Sequence, residues 1–265
     1  MQWLHLLAEN FLSLITTHHI FVGDGEKIRA RVIKFIDEEN STIIHNGIDY
    51  EHIGSLPSER NEVLKSINCP SWKSKTLIGT ISRLSPEKGI TNLLLAFSEV
   101  IEKEVDLRLI IVGGYPEEHE NYHLKINQLI EEKRLTQHVR ILGYRENALN
   151  ILKCFDIYVS PSLSEGLPIS VLEALASKIP TVATEITGNK DILRNSIFGV
   201  LVKPESSNSL AQGITKMIQL TKAERDILSI NAYNRIKKHF SADEMASKTT
   251  LLYNQVLKQN TCSSI

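Results

Sequence analysis

The chain has 265 residues, of which 42% are hydrophobic and 23% charged, and its formal net charge is −1. That length fits one large domain or a domain and a half, with apolar residues enough for a sizeable core. The charge balance argues against a nucleic-acid binder, which carries a strong basic excess, and no apolar run approaches a membrane span. Residues 3–16 carry apolar positions at Leu4, Leu7, Phe11, Leu14 and Ile15, a helical spacing. The start lacks a positive n-region and a small-residue cleavage site, so no signal peptide is expected. A strand-like run, His19 to Val22, leads through Gly23-Asp24-Gly25 to an amphipathic segment, Lys27 to Phe35. The glycines miss the third position of a dinucleotide fingerprint and read as a turn and helix cap. Arg29, Arg31 and Lys34 could meet anionic lipid, but Glu26 and Asp37-Glu38-Glu39 dilute them, and a solvated face is the better reading.

A second strand-like run, Thr42 to His45, ends in the turn signal Asn46-Gly47. Residues 51–74 are polar, broken by Pro57 and Pro70, and read as a linker with one short helix. After them strands alternate with helices, the mark of a parallel sheet. The predicted strands are Leu77 to Ser82, Leu107 to Val112, Val139 to Leu142, Ile157 to Ser160, Thr181 to Ala183 and Val200 to Val202. Helical runs lie at Thr91 to Glu102, Leu124 to Lys133, Leu149 to Phe155 and Ser209 to Leu220, with a last helix from Ala242 to Leu257. Cys69, Cys154 and Cys262 are odd in number and lack metal spacing, which fits a reducing cytoplasm and no disulfide framework.

Two stretches carry chemistry. In Ile81 to Ile90 (I-S-R-L-S-P-E-K-G-I) a strand ends, a loop presents Arg83, and Lys88-Gly89 open a helix. Two cations beside a helix N-terminus suit a multiply charged anion. The order G-x-x-x-x-G-K-[ST] is absent, so a P-loop is not expected, and by itself the pair also reads as ordinary surface charge. In Asp156 to Ser177 a strand, a tight loop and a helix hold one carboxylate in the loop, Glu165, and one in the helix, Glu173. The helix is apolar almost all round apart from Ser170 and Glu173, as a buried helix is. A carboxylate there needs a partner. The N–H groups of Gly166, Leu167 and Ile169 suit an anion or a hydroxyl-rich ligand. The plainer alternative makes Glu165 a solvated loop acid and Glu173 a cap for a neighbouring helix.

The stretch E-G-L-P-I-S-V-L-E-A-L-A-S-K-I-P-T-V-A-T, with Glu165 and Glu173 in E-x7-E spacing, resembles the signature of the retaining glycosyltransferases of family 4. R-L-S-P-E-K-G resembles their G-R-L-S-P-E-K-G motif, with Ser82 where glycine is usual, and H-N-G-I-D resembles their interdomain N-G-[IV]-D. The resemblance implies the GT-B fold, a Rossmann-like doubly wound parallel sheet plus the remnant of a second α/β domain. On that basis residues 1–50 are part of an acceptor-side domain and 51–74 a linker. Residues 75–240 form the nucleotide-sugar domain, and 241–265 the terminal helix and tail. It implies that Arg83 and Lys88 hold the diphosphate of a UDP- or GDP-sugar and that Glu173 accepts from the ribose hydroxyls. Glu165 would contact the sugar near the reacting centre, with main-chain contacts from Gly166, Leu167, Pro168, Ile169 and Ser170. Tyr144, in Gly143-Tyr144-Arg145, stands where the base packs in relatives, and an ordinary, partly exposed loop aromatic explains it equally well. Thr187-Gly188-Asn189 and Asp191 depart from the family pattern and are assigned no role.

No D-x-D lies in a suitable loop, agreeing with metal-independent chemistry and no cofactor. The family retains anomeric configuration and is numerous in bacterial surface polysaccharide synthesis, with saccharide or lipid-linked acceptors. A cytoplasmic protein at the inner face of the membrane follows, with peripheral membrane contact. The chain carries only the last helices and strands of the acceptor-side domain. It reads as an enzyme completed by a separate N-terminal half, a truncated reading frame, or a non-catalytic nucleotide-sugar module. One motif competes: His119-Glu120-Asn121-Tyr122-His123 matches the zinc-binding H-E-x-x-H. It sits at a helix start beside Pro116, and Ile126 stands where the extended motif has glycine. A solvated first turn is the expected reading.

Overall fold

The computed structural model describes residues 8, 11–32, 39–57, 59–104, 106–116 and 119–262. A small unit comes first: strand β1 (His19–Phe21), helix α1 (Asp24–Val32) and strand β2 (Ser41–Ile43), with β1 and β2 parallel. Residues 11–15 are helical as predicted, whereas Leu4 and Leu7 fall outside the described residues, as do Lys34, Phe35, Asp37 and Glu38. Residues 51–74 hold more structure than the single short helix expected: most of α2 (Tyr50–Ser55), α3 (Arg60–Ser66) and a 3-10 turn (Pro70–Trp72). Ile53, Leu64, Ile67 and Trp72 are buried, so hydrophobic packing overrides the polar composition of the segment.

The main body alternates strands and helices. It runs β3 (Thr76–Ile81), a 3-10 turn (Pro86–Lys88), α4 (Ile90–Ile101), β4 (Leu107–Val112) and α5 (Glu120–Glu132). Then come β5 (Val139–Ile141), α6 (Ala148–Leu152), β6 (Ile157–Ser160), α7 (Ile169–Ala176) and β7 (Thr181–Thr184). The chain closes with α8 (Thr187–Leu193), β8 (Val200–Val202), α9 (Ser207–Gln219), α10 (Lys222–His239) and α11 (Ala242–Cys262). Helix α10 was not among the predicted elements. It starts on a capping box between Thr221 and Glu224, which satisfies two of its orphan donors.

Among the described residues the main sheet has six strands in the order β5-β4-β3-β6-β7-β8, every pair parallel. This is the Rossmann-like α/β architecture. A parallel sheet is covered on both faces, and the side-chain alternation of β3 shows it. Ile78 packs with Leu93, Phe97 and Ile214 on one side, while Leu77 packs with Leu64, Ile151 and Leu172 on the other. The strand order reverses between β3 and β6. At such a switch point the loops after the two strands diverge to opposite faces and leave a crevice at the C-terminal edge. Both chemistry-bearing stretches leave the sheet there.

Candidate active site

The two sides of the crevice are locked together by main chain. Gly89 has φ +68, and a Cβ there would lie 2.0 Å from the Pro161 carbonyl oxygen. Only glycine accepts both the left-handed conformation and that approach. The Leu163 N–H donates to the Glu87 carbonyl at 2.8 Å, tying the same loops again. On the outer side, Leu84 N–H donates to Gly114 O at 2.9 Å. Gly113 (φ +142) lets β4 end within 1.9 Å of Ser82 O, measured from the Cβ position it lacks. The Arg83 loop is thus braced from both neighbours, and the residue is exposed, its guanidinium without a hydrogen bond or ion pair among the described residues.

Lys88 crosses the crevice. Its Nζ donates to Glu165 Oε1 at 2.7 Å, and both side chains are largely shielded from solvent. Ser162 Oγ donates to the same oxygen at 2.8 Å. Behind Ser162, its carbonyl accepts from Thr184 Oγ1 at 2.5 Å, and Asn189 Nδ2 donates to Thr184 O at 2.9 Å. A buried polar ladder from α8 through β7 therefore orients Glu165. Sequence reasoning assigned no role to Ser162, Thr184 or Asn189. Their only signal was polarity, at or just past strand ends for Ser162 and Thr184 and within α8 for Asn189.

Glu173 sits one turn beyond Ser170 on α7 and is half-buried; that burial pushes its carboxyl up to about 7. No hydrogen bond or ion pair reaches the carboxylate among the described residues, and its oxygens keep contact with solvent. Tyr158 on β6 is fully buried, and its hydroxyl, pushed up to about 12 mainly by burial, donates to Ile81 O at 3.3 Å and bonds the Ser170 side chain. It thereby ties the end of β3 to the first turn of α7. The plainer alternative, in which Glu173 caps a neighbouring helix, finds no such bond among the described residues.

The small N-terminal unit closes the site from the other side. Asn46 Nδ2 donates to Leu167 O at 3.1 Å, a role not contained in the turn reading of Asn46-Gly47. Asp24 N–H donates to Asp191 Oδ2 at 3.2 Å beside the Gly166 carbonyl. Leu167 and Pro168 are buried, Ile169 is exposed, and Pro168 is the N-cap of α7. Tyr144 stands after β5 and is 77% exposed. The His-Glu motif lies elsewhere: His119 precedes α5, and His123 stacks on Tyr115 at 4.1 Å and bonds Asn127. Among the described residues no group of three His, Cys, Asp or Glu side chains is placed to hold a metal. Cys69 and Cys154 are free and buried. No described helix is long and apolar enough to cross a membrane.

This geometry places two cations, two carboxylates and helix N-termini at one switch point. Residues 69–235, more than half the chain, match the family model for glycosyl transferases group 1. The chain belongs to that family. It is 26% identical over 258 residues to the UDP-Gal:alpha-D-GlcNAc-diphosphoundecaprenol alpha-1,3-galactosyltransferase of Escherichia coli, covering 95% of this chain and 62% of that one. It is 24% identical to the capsular polysaccharide biosynthesis glycosyltransferase CapM of Staphylococcus aureus, covering 66% of it. The structure resembles the crystal structure of a glycosyltransferase from Rickettsia africae, with TM-score 0.85 and 25% identity over 96% of this chain and 67% of that one. It shares the fold of the Anabaena protein HepE at TM-score 0.82 and 20% identity, over 90% of this chain and 63% of that one. This glycosyltransferase-family chain is thus GT-B in type and spans about two thirds or less of the length of these relatives.

Proposed function

We propose that this glycosyltransferase chain binds a nucleotide-diphosphate sugar in the β3–β6 crevice and transfers the sugar with retention, in bacterial surface polysaccharide assembly. Lipopolysaccharide, capsule and exopolysaccharide are the candidate products, and the acceptor is a saccharide or a lipid-linked saccharide. The observation that carries the reading is the unpartnered, half-buried Glu173 carboxylate on the helix that the Glu165 loop leads into, across from which Lys88 pairs with Glu165. A diol such as ribose supplies the two donors that Glu173 lacks. The relative from Escherichia coli is named for a UDP-galactose donor, and HepE was crystallised with UDP and glucose, which favours UDP over GDP.

In this reading Arg83, exposed and unpaired, and Lys88 take the diphosphate. As the glycosidic bond breaks, negative charge grows on the leaving phosphate, and preorganised cations and helix N–H groups stabilise it. Lys88 moves from Glu165 to phosphate when donor arrives, which releases Glu165 toward the sugar. Ser170 and the main chain from Gly166 to Ile169 line the sugar, and Tyr144 stacks on the base. No metal or cofactor enters this scheme. Calorimetry with UDP tests it. Arg83→Ala and Lys88→Ala should each weaken binding by roughly 1.5–3 kcal/mol, the range for charge-assisted contacts. Unchanged affinity in both removes the diphosphate assignment.

The exposed side chains Leu14, Ile15, Ile20 and Ile28 around the two-stranded sheet favour a second reading. In it the chain is a donor-binding module and another polypeptide presents the acceptor. Donor binding without transfer, restored by adding an acceptor-side domain, distinguishes it from an enzyme active by itself. Work at the inner face of the membrane fits either reading.

A further inference from the structure

At the opposite, N-terminal edge of the sheet, a cleft of about 740 Å³ opens where the chain enters β3, β6 and β7. A six-residue strand separates it from Arg83, about 20 Å at the rise of a β-strand. Seven Lys and Arg side chains line it against two carboxylates, Asp156 and Asp226, in a chain of net charge −1. Both carboxylates are already engaged. Asp156 is held by Arg60 at 3.1 Å and by the Leu77 N–H at 2.7 Å, and Asp226 by Lys222 at 2.6 Å.

Of the other cations, Lys75 is ion-paired with Asp106 at 2.5 Å and Lys153 donates to the carbonyls of Gly54 and Leu56, whereas Arg225, Lys178 and Lys73 have no carboxylate partner among the described residues. Arg225 Nη1 donates to the carbonyls of Ile218 and Leu220 at 3.0 and 2.6 Å. The Lys178 ammonium lies over the Tyr233 ring at 4.8 Å. Lys73 has no hydrogen bond or ion pair among the described residues. Arg60 Nε, Ser177 Oγ and Ser229 Oγ are buried polar atoms without a partner, all on residues that line this cleft. Ser229 is only 5% exposed. Lys178 also has φ +57 just past the end of α7, a position where glycine is the usual residue because a side chain costs about 1 kcal/mol or more.

We propose that this cleft binds the phosphate group of a small phosphorylated molecule, separately from the donor crevice. Lysines supply point charges and Arg225 a planar fork, which is how phosphate oxygens are held. The volume lies within the roughly 300–1,000 Å³ of small-ligand sites and exceeds what a bare phosphate fills, so the ligand carries an organic part.

Inorganic phosphate is the probe. Titrated at constant ionic strength into the full chain held in saturating UDP, which occupies the crevice at Arg83, it should raise Tm saturably, whereas chloride should not. Lys73→Ala and Lys178→Gly should each weaken its affinity at least fivefold, while Arg83→Ala leaves it unchanged. Glycine suits the left-handed backbone at 178, so a loss in Lys178→Gly cannot be put down to misfolding. Equal effects of chloride and phosphate, wild-type affinity in both cleft variants, or loss in Arg83→Ala would each overturn the proposal. Binding to phosphatidic acid vesicles without binding to inorganic phosphate would overturn it too, in favour of a lipid surface.

Discussion

Glu173 shows what a single buried carboxyl does to the free-energy balance. Burial raises its pKa from the ordinary 4.5 to about 7, so the fold favours the protonated form. The stabilisation is complete below about 4.5 and is lost as the pH rises through about 7. Glu173→Gln, which stays neutral, should therefore be more stable than wild type at pH 8, by up to about 3 kcal/mol. The difference should vanish near pH 4, and thermal melts at the two values check this. The same substitution should weaken UDP binding, because an amide is a poorer acceptor for two hydroxyls than a carboxylate. Destabilisation at both pH values would mean that Glu173 has a protein partner. Glu165 makes the opposite case. Its carboxylate competes with phosphate for Lys88, so Glu165→Gln should tighten UDP binding by on the order of 1 kcal/mol while transfer is lost. Weaker UDP binding in that variant would show that Glu165 orients Lys88 for phosphate.

Among the elements, the strands of the main sheet were legible because parallel strands buried on both faces run almost wholly apolar, as Leu107 to Val112 does. Helix α10 was not, although its Thr221–Glu224 box is a sequence-level start signal. Its apolar residues include Ile227 and Ile230, which the structure leaves exposed, so no single stripe stands out. The two site loops were readable as loops, but not their contact: nothing in R-L-S-P-E-K-G announces that Gly89 will lie under the Pro161 carbonyl. That contact gives an element-scale prediction. Gly89→Ala forces a side chain into a left-handed backbone and into that oxygen, and should cost about 1–3 kcal/mol from the strain alone. It should also weaken UDP binding more than a distant substitution of equal thermal cost, because it parts Lys88 from Glu165. Chemical denaturation paired with calorimetry separates the two effects. A variant that loses stability but binds UDP normally would show that the loops reach each other without this packing.

For the whole molecule, the chain is closed on itself by its C-terminal crossing. Ile48 N–H donates to Phe240 O at 2.9 Å, and Ala242 N–H donates to Ile48 O at 3.0 Å, so the segment joining the small unit to the sheet is clasped where α10 gives way to α11. His45 packs its ring on Phe240 at 5.3 Å, and its Nδ1 bonds the Val22 carbonyl at 2.9 Å. The small unit bears on the Gly166 loop through Asn46 and Asp24, so this clasp also sets the floor of the proposed donor site. The two-stranded sheet is too small for independent stability in water, whereas the six-stranded body carries its own core on both faces. Removing residues 242–262 should therefore unfasten the first unit without unfolding the second. Hydrogen exchange should then be fast across 19–48 and remain slow in β3, β4, β6 and β7. UDP should still bind through Arg83 and Lys88, more weakly for want of the Asn46 contact to Leu167. Retained protection across 19–48 would show that the Asp24–Asp191 and Asn46–Leu167 contacts hold the unit by themselves. Loss of protection throughout the sheet would show that the two units fold as one.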